Sequence, residues 1–210
     1  MFVLGFLGSP MVNGTCSKLL KKALEGAKSK GAKIKRYDLI NCTIQHCQGC
    51  FKCMFEHPEL PIGKCPIKDD IPSILETYIK ADGYIFASPV YEMFVTSLMK
   101  KFLERKIALG YRSKDAYAKI GDARRPANFK KMASFIVTAN ATDEFHEAMG
   151  GPCFEAMESH LFIEQVPTVD RLYVGGVENM SDKVFSDRLN KAYKMGIQLV
   201  EDIEKAQMEN

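Results

Sequence analysis

An α/β fold with a doubly wound parallel sheet is predicted by three observations. Apolar runs of strand length alternate with amphipathic runs of helical period five times along the chain. The strand-like runs are apolar on consecutive residues, as strands buried on both faces require. The length, 210 residues, suits one well-buried domain and is short for two. One domain over residues 1–210 is therefore expected, with a cysteine-rich loop inserted at about residues 40–68.

Phe2–Leu7 is the first strand, ending at Gly8. Leu19, Leu20, Ala23, Leu24 and Ala27 then recur at helical spacing, after the capping candidates Gly14 and Thr15 and before Gly31. Lys33–Leu39 is a second, shorter strand, and the cysteine loop follows it. Asp69 or Asp70 caps the next helix, which carries Pro72 in its first turn and Ile71, Ile74, Leu75, Tyr78 and Ile79 on one face. Gly83–Ser88 is the third strand, and Ser97 opens a helix burying Leu98, Phe102 and Leu103. Met132–Thr138 is the fourth strand, with a helix from about Asp143 to Phe162. Val166–Val174 is the fifth, weakened by Pro167. The last helix, about Asp182 to Lys205, buries a stripe through Phe185, Leu189, Ala192, Gly196, Leu199 and Ile203.

Charge and cysteine usage bound the function. Lys and Arg number 29 against 26 Asp and Glu, and a net +3 is too little for a nucleic-acid partner. No apolar run approaches the roughly 20 residues of a membrane helix. The opening residues lack the positive flank of a signal peptide and read as a strand. A cytoplasmic protein with reduced thiols is expected, so seven cysteines, an odd number, point to metal or redox chemistry rather than a disulfide framework.

Four of those cysteines, Cys47, Cys50, Cys53 and Cys65, fall within nineteen residues. Two residues separate each of the first three, so the thiols can converge. Four thiolates suit an iron–sulfur cluster or a tetrahedral zinc. The spacing lacks the second C-x₂-C pair of a zinc site, and a dithiol formed by Cys50 and Cys53 is a further alternative.

The first strand runs directly into Gly8-Ser9-Pro10-Met11-Val12-Asn13-Gly14-Thr15-Cys16-Ser17. Ligands of open parallel sheets bind beyond the carboxyl ends of the strands. A helix N-terminus there offers free N–H groups to a phosphate, and Ser9, Asn13, Thr15 and Ser17 add neutral donors. This is neither the dinucleotide fingerprint nor the lysine-bearing P-loop. A monophosphate fits, as does an ordinary capped turn. The third strand ends in Ser88-Pro89-Val90-Tyr91-Glu92-Met93-Phe94, whose Tyr91, Met93 and Phe94 can wall a flat ring. The fourth ends in Thr138-Ala139-Asn140, a polar third edge. A phosphate loop beside a ring-walling loop is what a flavin mononucleotide requires.

These segments, with Gly63-Lys64-Cys65-Pro66-Ile67-Lys68-Asp69-Asp70, occur in an order that resembles the NADPH-dependent FMN reductase superfamily, particularly its iron–sulfur flavoproteins. The resemblance implies a flavodoxin-like fold of strand order 2-1-3-4-5, FMN at the strand ends, and a homodimer or homotetramer. It implies NAD(P)H or reduced ferredoxin as electron donor, a small-molecule or protein acceptor, and no nucleic-acid or membrane partner. Its FMN contacts would be Ser9, Pro10, Asn13, Gly14, Thr15, Cys16, Ser17, Pro89, Val90, Tyr91, Met93, Phe94, Thr138 and Asn140. A [4Fe–4S] cluster would be held by Cys47, Cys50, Cys53 and Cys65. The eleven residues between Cys53 and Cys65 are a departure, longer than the compact loop of the cluster-bearing members. An electron carrier that turns over no substrate, and a plain FMN or quinone reductase without a cluster, are the alternatives.

Three further expectations concern residues outside these motifs. Cys16, in the first turn of its helix, should have a lowered pKa from the helix dipole. His46 and His57, flanking the cysteines, read as surface or hydrogen-bonding residues. Lys100 to Lys131 holds eleven basic residues against three acids, a local +8 that leaves −5 elsewhere. Such a run is usually a solvated face. Alternatively it docks an acidic carrier or the 2′-phosphate of NADPH, with Arg112, Lys114, Arg124 and Arg125 as candidates.

Overall fold

The structure, a computed structural model, describes residues 1–110, 124 and 130–209. Five parallel strands form its centre: β1 (Phe2–Leu7), β2 (Lys33–Asp38), β3 (Gly83–Tyr91), β5 (Met132–Thr138) and β6 (Thr168–Val174). They lie in the order β2-β1-β3-β5-β6, and the two-residue β4 (Phe94–Val95) folds back antiparallel on β3. Apart from that hairpin strand, this is the expected order 2-1-3-4-5. The chain reverses direction across the sheet between β1 and β3, so the gap beyond their carboxyl ends is the switch point of the fold.

Alternate residues of each strand feed two cores. Val3, Leu7, Ile85 and Ile136 face α1 (Thr15–Ser29) and α6 (Asp182–Met208). Leu4, Phe6, Tyr84, Phe86 and Phe135 face the other helices: α3 (Ile71–Tyr78), α4 (Ser97–Arg105) and α5 (Gly151–Phe162). An aromatic file crosses the second core, with the Phe6 ring 4.6 Å from Phe102 and 5.2 Å from Phe86, and Phe86 5.7 Å from Phe135. Stacked rings at these separations add to burial and stiffen the floor on which α4 lies.

Several boundaries differ from expectation for identifiable reasons. The third strand continues past Ser88 to Tyr91, because Val90 and Tyr91 find ladder partners in Val95 and Phe94. The last strand begins at Thr168 rather than Val166: Pro167 has no N–H to give, although its carbonyl accepts from the Ala133 amide. The segment from Asp143 starts as a 3₁₀ turn and a π turn before becoming α5 at Gly151. Within the cysteine loop a single helical turn, α2 (Lys52–Phe55), was not anticipated. Asp70 occupies the N-cap of α3, but the cap bond comes from its neighbour: Asp69 Oδ1 accepts from the Ile71 amide at 3.1 Å. Asp70 instead accepts from the Thr43 amide at 2.7 Å, tying the start of the cysteine loop to the helix. Among the described residues no helix is long and apolar enough to cross a membrane.

Candidate functional site

A cavity of about 700 Å³ opens at the switch point, within the size range of small-molecule and cofactor sites. Three loops wall it. From the first come Ser9, Gly14, Thr15 and Cys16; from the second Pro89, Val90, Tyr91 and Met93; from the third Thr138 and Asn140. Four expected residues fall outside its lining. Pro10 and Asn13 are exposed beside it, and Phe94 stands on the hairpin. Ser17 is buried, its hydroxyl donating to the Val12 carbonyl and accepting from Arg36 Nη2 at 2.7 Å, so it braces the loop from within. Met11, Glu92, Met149, Val177 and Glu178 also line the cavity and were missed. Val177 and Glu178 follow the last strand after Gly175-Gly176, a glycine pair that could have marked this loop.

The first loop leaves hydrogen-bond donors free at the cavity. Gly14 caps α1 without a side-chain hydrogen bond, and no acid sits in the first turn of that 15-residue helix. Its leading amides and dipole therefore face the cavity uncompensated. The Ser9 hydroxyl accepts from the Met11 amide at 3.1 Å, which orients its own proton for another acceptor. Cys16 behaves contrary to expectation. Burial pushes its thiol up to about 12, outweighing a hydrogen bond to Thr138 and the nearby Arg36 charge. It is a packed neutral thiol rather than a nucleophile.

The second loop is a tight hairpin. Glu92 and Met93 join β3 to β4 with φ of +46° and +63°, the type I′ geometry usually given to Asn and Gly. Two non-glycine residues in this region store strain of about 1 kcal/mol or more each. The turn holds Tyr91, Met93 and Phe94 half exposed at the cavity mouth. Thr96, the N-cap of α4, fastens this wall to the first: its hydroxyl donates to the Gly8 carbonyl and accepts from the Met99 amide at 3.2 Å. A Cβ on Gly8 would come within 2.8 Å of Met99 Cβ, so the contact requires glycine there. The walls thus approach as one unit.

The four clustered cysteines line a second cavity, of about 380 Å³, together with Phe51, Ile67, Glu104, Arg105, Ile107 and His160. Cys47 and Cys50 are exposed, Cys65 is half-buried and Cys53 is buried. Burial first, and then the neighbouring thiols Cys65, Cys47 and Cys50, push Cys53 up to about 11. Gly49 and Phe51 have positive φ, which coils the run around its own thiols. The donor set matches a [4Fe–4S] cube in number and softness. Among the described residues, however, no three His, Cys, Asp or Glu side chains close to the spacing of a metal site. His46 and His57 do not line this cavity, as expected; His57 pairs with Glu59 at 3.3 Å. Cys153 is packed in the core and Cys42 lies near Asp38.

Four residues of the basic run, Arg105, Lys106, Arg124 and Lys131, are buried rather than on a solvated face. Arg105 pairs with Asp69, Lys106 with Glu164 at 2.7 Å, and all four side chains are nearly inaccessible. Lys131 Nζ donates to the Tyr78 and Ile79 carbonyls. Arg124 is turned inward: Nη1 donates to the carbonyls of His57 and Leu60, and Nη2 to those of Cys53, Met54 and Glu56. That grip excludes it from binding a nucleotide phosphate; Arg112, Lys114 and Arg125 lie outside the described residues. The returning chain meets the same point, for a Cβ on Gly63 would fall 1.6 Å from the Cys53 carbonyl oxygen. The long excursion between Cys53 and Cys65 is thereby folded back on its own origin.

Burial opposes ionisation of Asp69. Hydrogen bonds from Arg105 and from the Gln45 and Ile71 amides, with the guanidinium charge, overcome this and hold its carboxyl below the usual value. His160, beside the cysteine cavity, is driven down to about 4 by burial and by Lys106 and Lys100. α4 connects the two cavities: the hairpin before its N-cap Thr96 walls the first, and Glu104 and Arg105 at its other end line the second. A helix rises about 1.5 Å per residue, so its nine residues span about 13 Å.

Residues 1–145 match the family model of NADPH-dependent FMN reductases. The chain is 33% identical over 112 residues to an iron–sulfur flavoprotein of Archaeoglobus fulgidus, covering 53% of this chain and 48% of that protein. It is also 33% identical over 125 residues to one from Methanocaldococcus jannaschii, covering 59% and 60%. The chain thus spans about half to three fifths of the length of these relatives. A solved NAD(P)H:quinone oxidoreductase from Methanothermobacter marburgensis has the same fold, with a TM-score of 0.68 at 18% identity over 95% of this chain and 96% of that one.

Proposed function

This chain belongs to the NADPH-dependent FMN reductase family, and we propose that it is an FMN-dependent oxidoreductase carrying a [4Fe–4S] cluster. Electrons would pass from NAD(P)H, or a reduced carrier such as ferredoxin, to a small-molecule or protein acceptor. One observation carries this reading: a cavity with a free helix N-terminus and an aromatic wall, and a cavity lined by four thiols, are connected by one short helix. The cluster-bearing relatives support it by their names.

In this reading the α1 amides, Ser9 and Thr15 hold the FMN phosphate. Pro89, Val90, Tyr91 and Met93 wall the ring, and Thr138 and Asn140 supply polar contacts on the third side. Cys47, Cys50, Cys53 and Cys65 would ligate the cluster, and Gly49, with its positive φ, would let the backbone approach it closely. Bound flavin supplies the exchange between two-electron hydride chemistry and one-electron transfer. The residues themselves position and exclude water; none is assigned to acid or base work. The half-exposed Met11, Tyr91, Met93 and Phe94 at the cavity mouth suit a second copy of the chain, which supports a homodimer or homotetramer.

Anaerobically purified protein tests the proposal. We expect bound FMN, about four iron and four sulfide per chain, and oxidation of NAD(P)H when an acceptor is added. FMN without iron would favour a plain FMN reductase, the reading the unconverged thiols support. Iron and FMN with no NAD(P)H oxidation, but reduction by ferredoxin, would make the protein an electron carrier.

A further inference from the structure

Arg105 reaches the cysteine loop from a distant part of the chain. It is the last residue of α4, and its side chain is 1% exposed. Nη1 donates to Asp69 Oδ2 and to the Gln45 carbonyl at 2.9 Å, two residues before Cys47. Nη2 donates to Asp69 Oδ1 at 3.1 Å and to Cys65 Sγ at 3.5 Å. Asp69 is 0% exposed and also accepts from the Gln45 and Ile71 amides. One planar fork therefore joins both ends of the cysteine loop and places an N–H on the sulfur of the last cysteine.

We propose that Arg105 is a positioning residue that sets the reduction potential of the cluster through its hydrogen bond to Cys65. This rests on the cluster reading above. A donor on a ligating sulfur favours the more negative, reduced state and so raises the potential. Asp69 neutralises the guanidinium, so the effect is delivered by the N–H contact, at short range, rather than by net charge. Lysine cannot replace it, because an ammonium lacks the fork that reaches carboxylate, carbonyl and sulfur together. Arginine also fixes where the fourth thiol stands after the long excursion from Cys53.

The experiment uses anaerobic holoprotein of wild type, Arg105→Lys, and the charge-neutral double variant Arg105→Met/Asp69→Asn. Iron, sulfide and FMN are assayed first, and the cluster potential is then read by titration with spectroscopic detection. Both variants should keep iron, and at the wild-type midpoint their ratio of reduced to oxidised cluster should fall about tenfold, equivalent to about 59 mV for one electron. Full iron with a ratio within twofold of wild type overturns the proposal. If only Arg105→Lys loses iron, the double variant decides by the same criterion. If both lose iron while keeping FMN, Arg105 is structural only and the tuning role is wrong. Wild-type protein devoid of iron and sulfide removes the cluster reading, and this proposal with it, before any variant is made.

Discussion

The two cavities are built by opposite means. The one at the switch point is made from the ends of regular elements: β1, β3 and β5 end there, α1 begins there, and neutral hydroxyls and amides line it. The cysteine cavity is made from an irregular loop with one turn of helix, and buried cations arriving from distant positions hold it in shape. A sheet supplies precise edges without further support. A loop needs its backbone carbonyls satisfied by something, and here guanidinium groups do it. The lesson is that buried cations act as scaffold at the cysteine cavity, whereas among the described residues no Lys or Arg lines the cavity at the switch point, where Glu92 and Glu178 are the charged residues.

Four changes probe this difference. Cys65→Ser should abolish iron binding entirely and leave flavin content unchanged, because the two cavities share no loop; iron and flavin assays on one preparation decide it. Arg124→Met removes the partner of five carbonyls. Leaving even a few unsatisfied should cost about 3–5 kcal/mol in urea unfolding and empty the cysteine site. Unchanged stability would mean that water replaces the guanidinium and that the loop holds itself.

Ser9→Ala with Thr15→Ala tests the other region. Each hydroxyl is worth roughly 1.5 kcal/mol or more to a charged acceptor, so FMN should bind about 10²-fold more weakly, with iron untouched. An unchanged flavin dissociation constant would move the phosphate elsewhere. The smallest effect is expected from pH. An unfolded His160 takes up a proton near its ordinary 6.5, the folded one only near about 4. Stability is then complete above pH 6.5, falls as pH drops from about 6.5 to about 4, and levels below that. At roughly 1.4 kcal/mol per unit, and with solvent reaching part of the ring, the loss is about 1–2 kcal/mol. His160→Gln should flatten urea midpoints over that interval; an unaltered slope would assign the dependence to other groups.

What could be read from the chain follows the same division. Phe2–Leu7 and Met132–Thr138 were legible residue for residue, because continuous apolar runs bounded by polar or glycine residues have one stable use in such a fold. The three cavity loops were legible because they lie at the carboxyl ends of β1, β3 and β5. Ser17 and Asn13 were misjudged since a hydroxyl or amide in a turn can face either way, and only the position of Arg36 turns Ser17 inward. Cys16 was misjudged because desolvation in a packed turn exceeds the pull of the dipole. Thr96, Arg105 and Arg124 were not legible at all. Their partners lie 88, 40 and up to 71 residues away, and no local pattern encodes such a pairing.

The grip of Arg124 also has a consequence for how the protein is made. Its bond to the Cys53 carbonyl joins positions 71 residues apart, so the cysteines leave the ribosome well before the residue that fastens their loop. At roughly 5–20 residues per second, this interval lasts about 4–14 s. During it the nascent thiols stand on an unfastened loop, open to oxygen and to adventitious metal. Closure of the cysteine loop is thus timed by the arrival of one arginine.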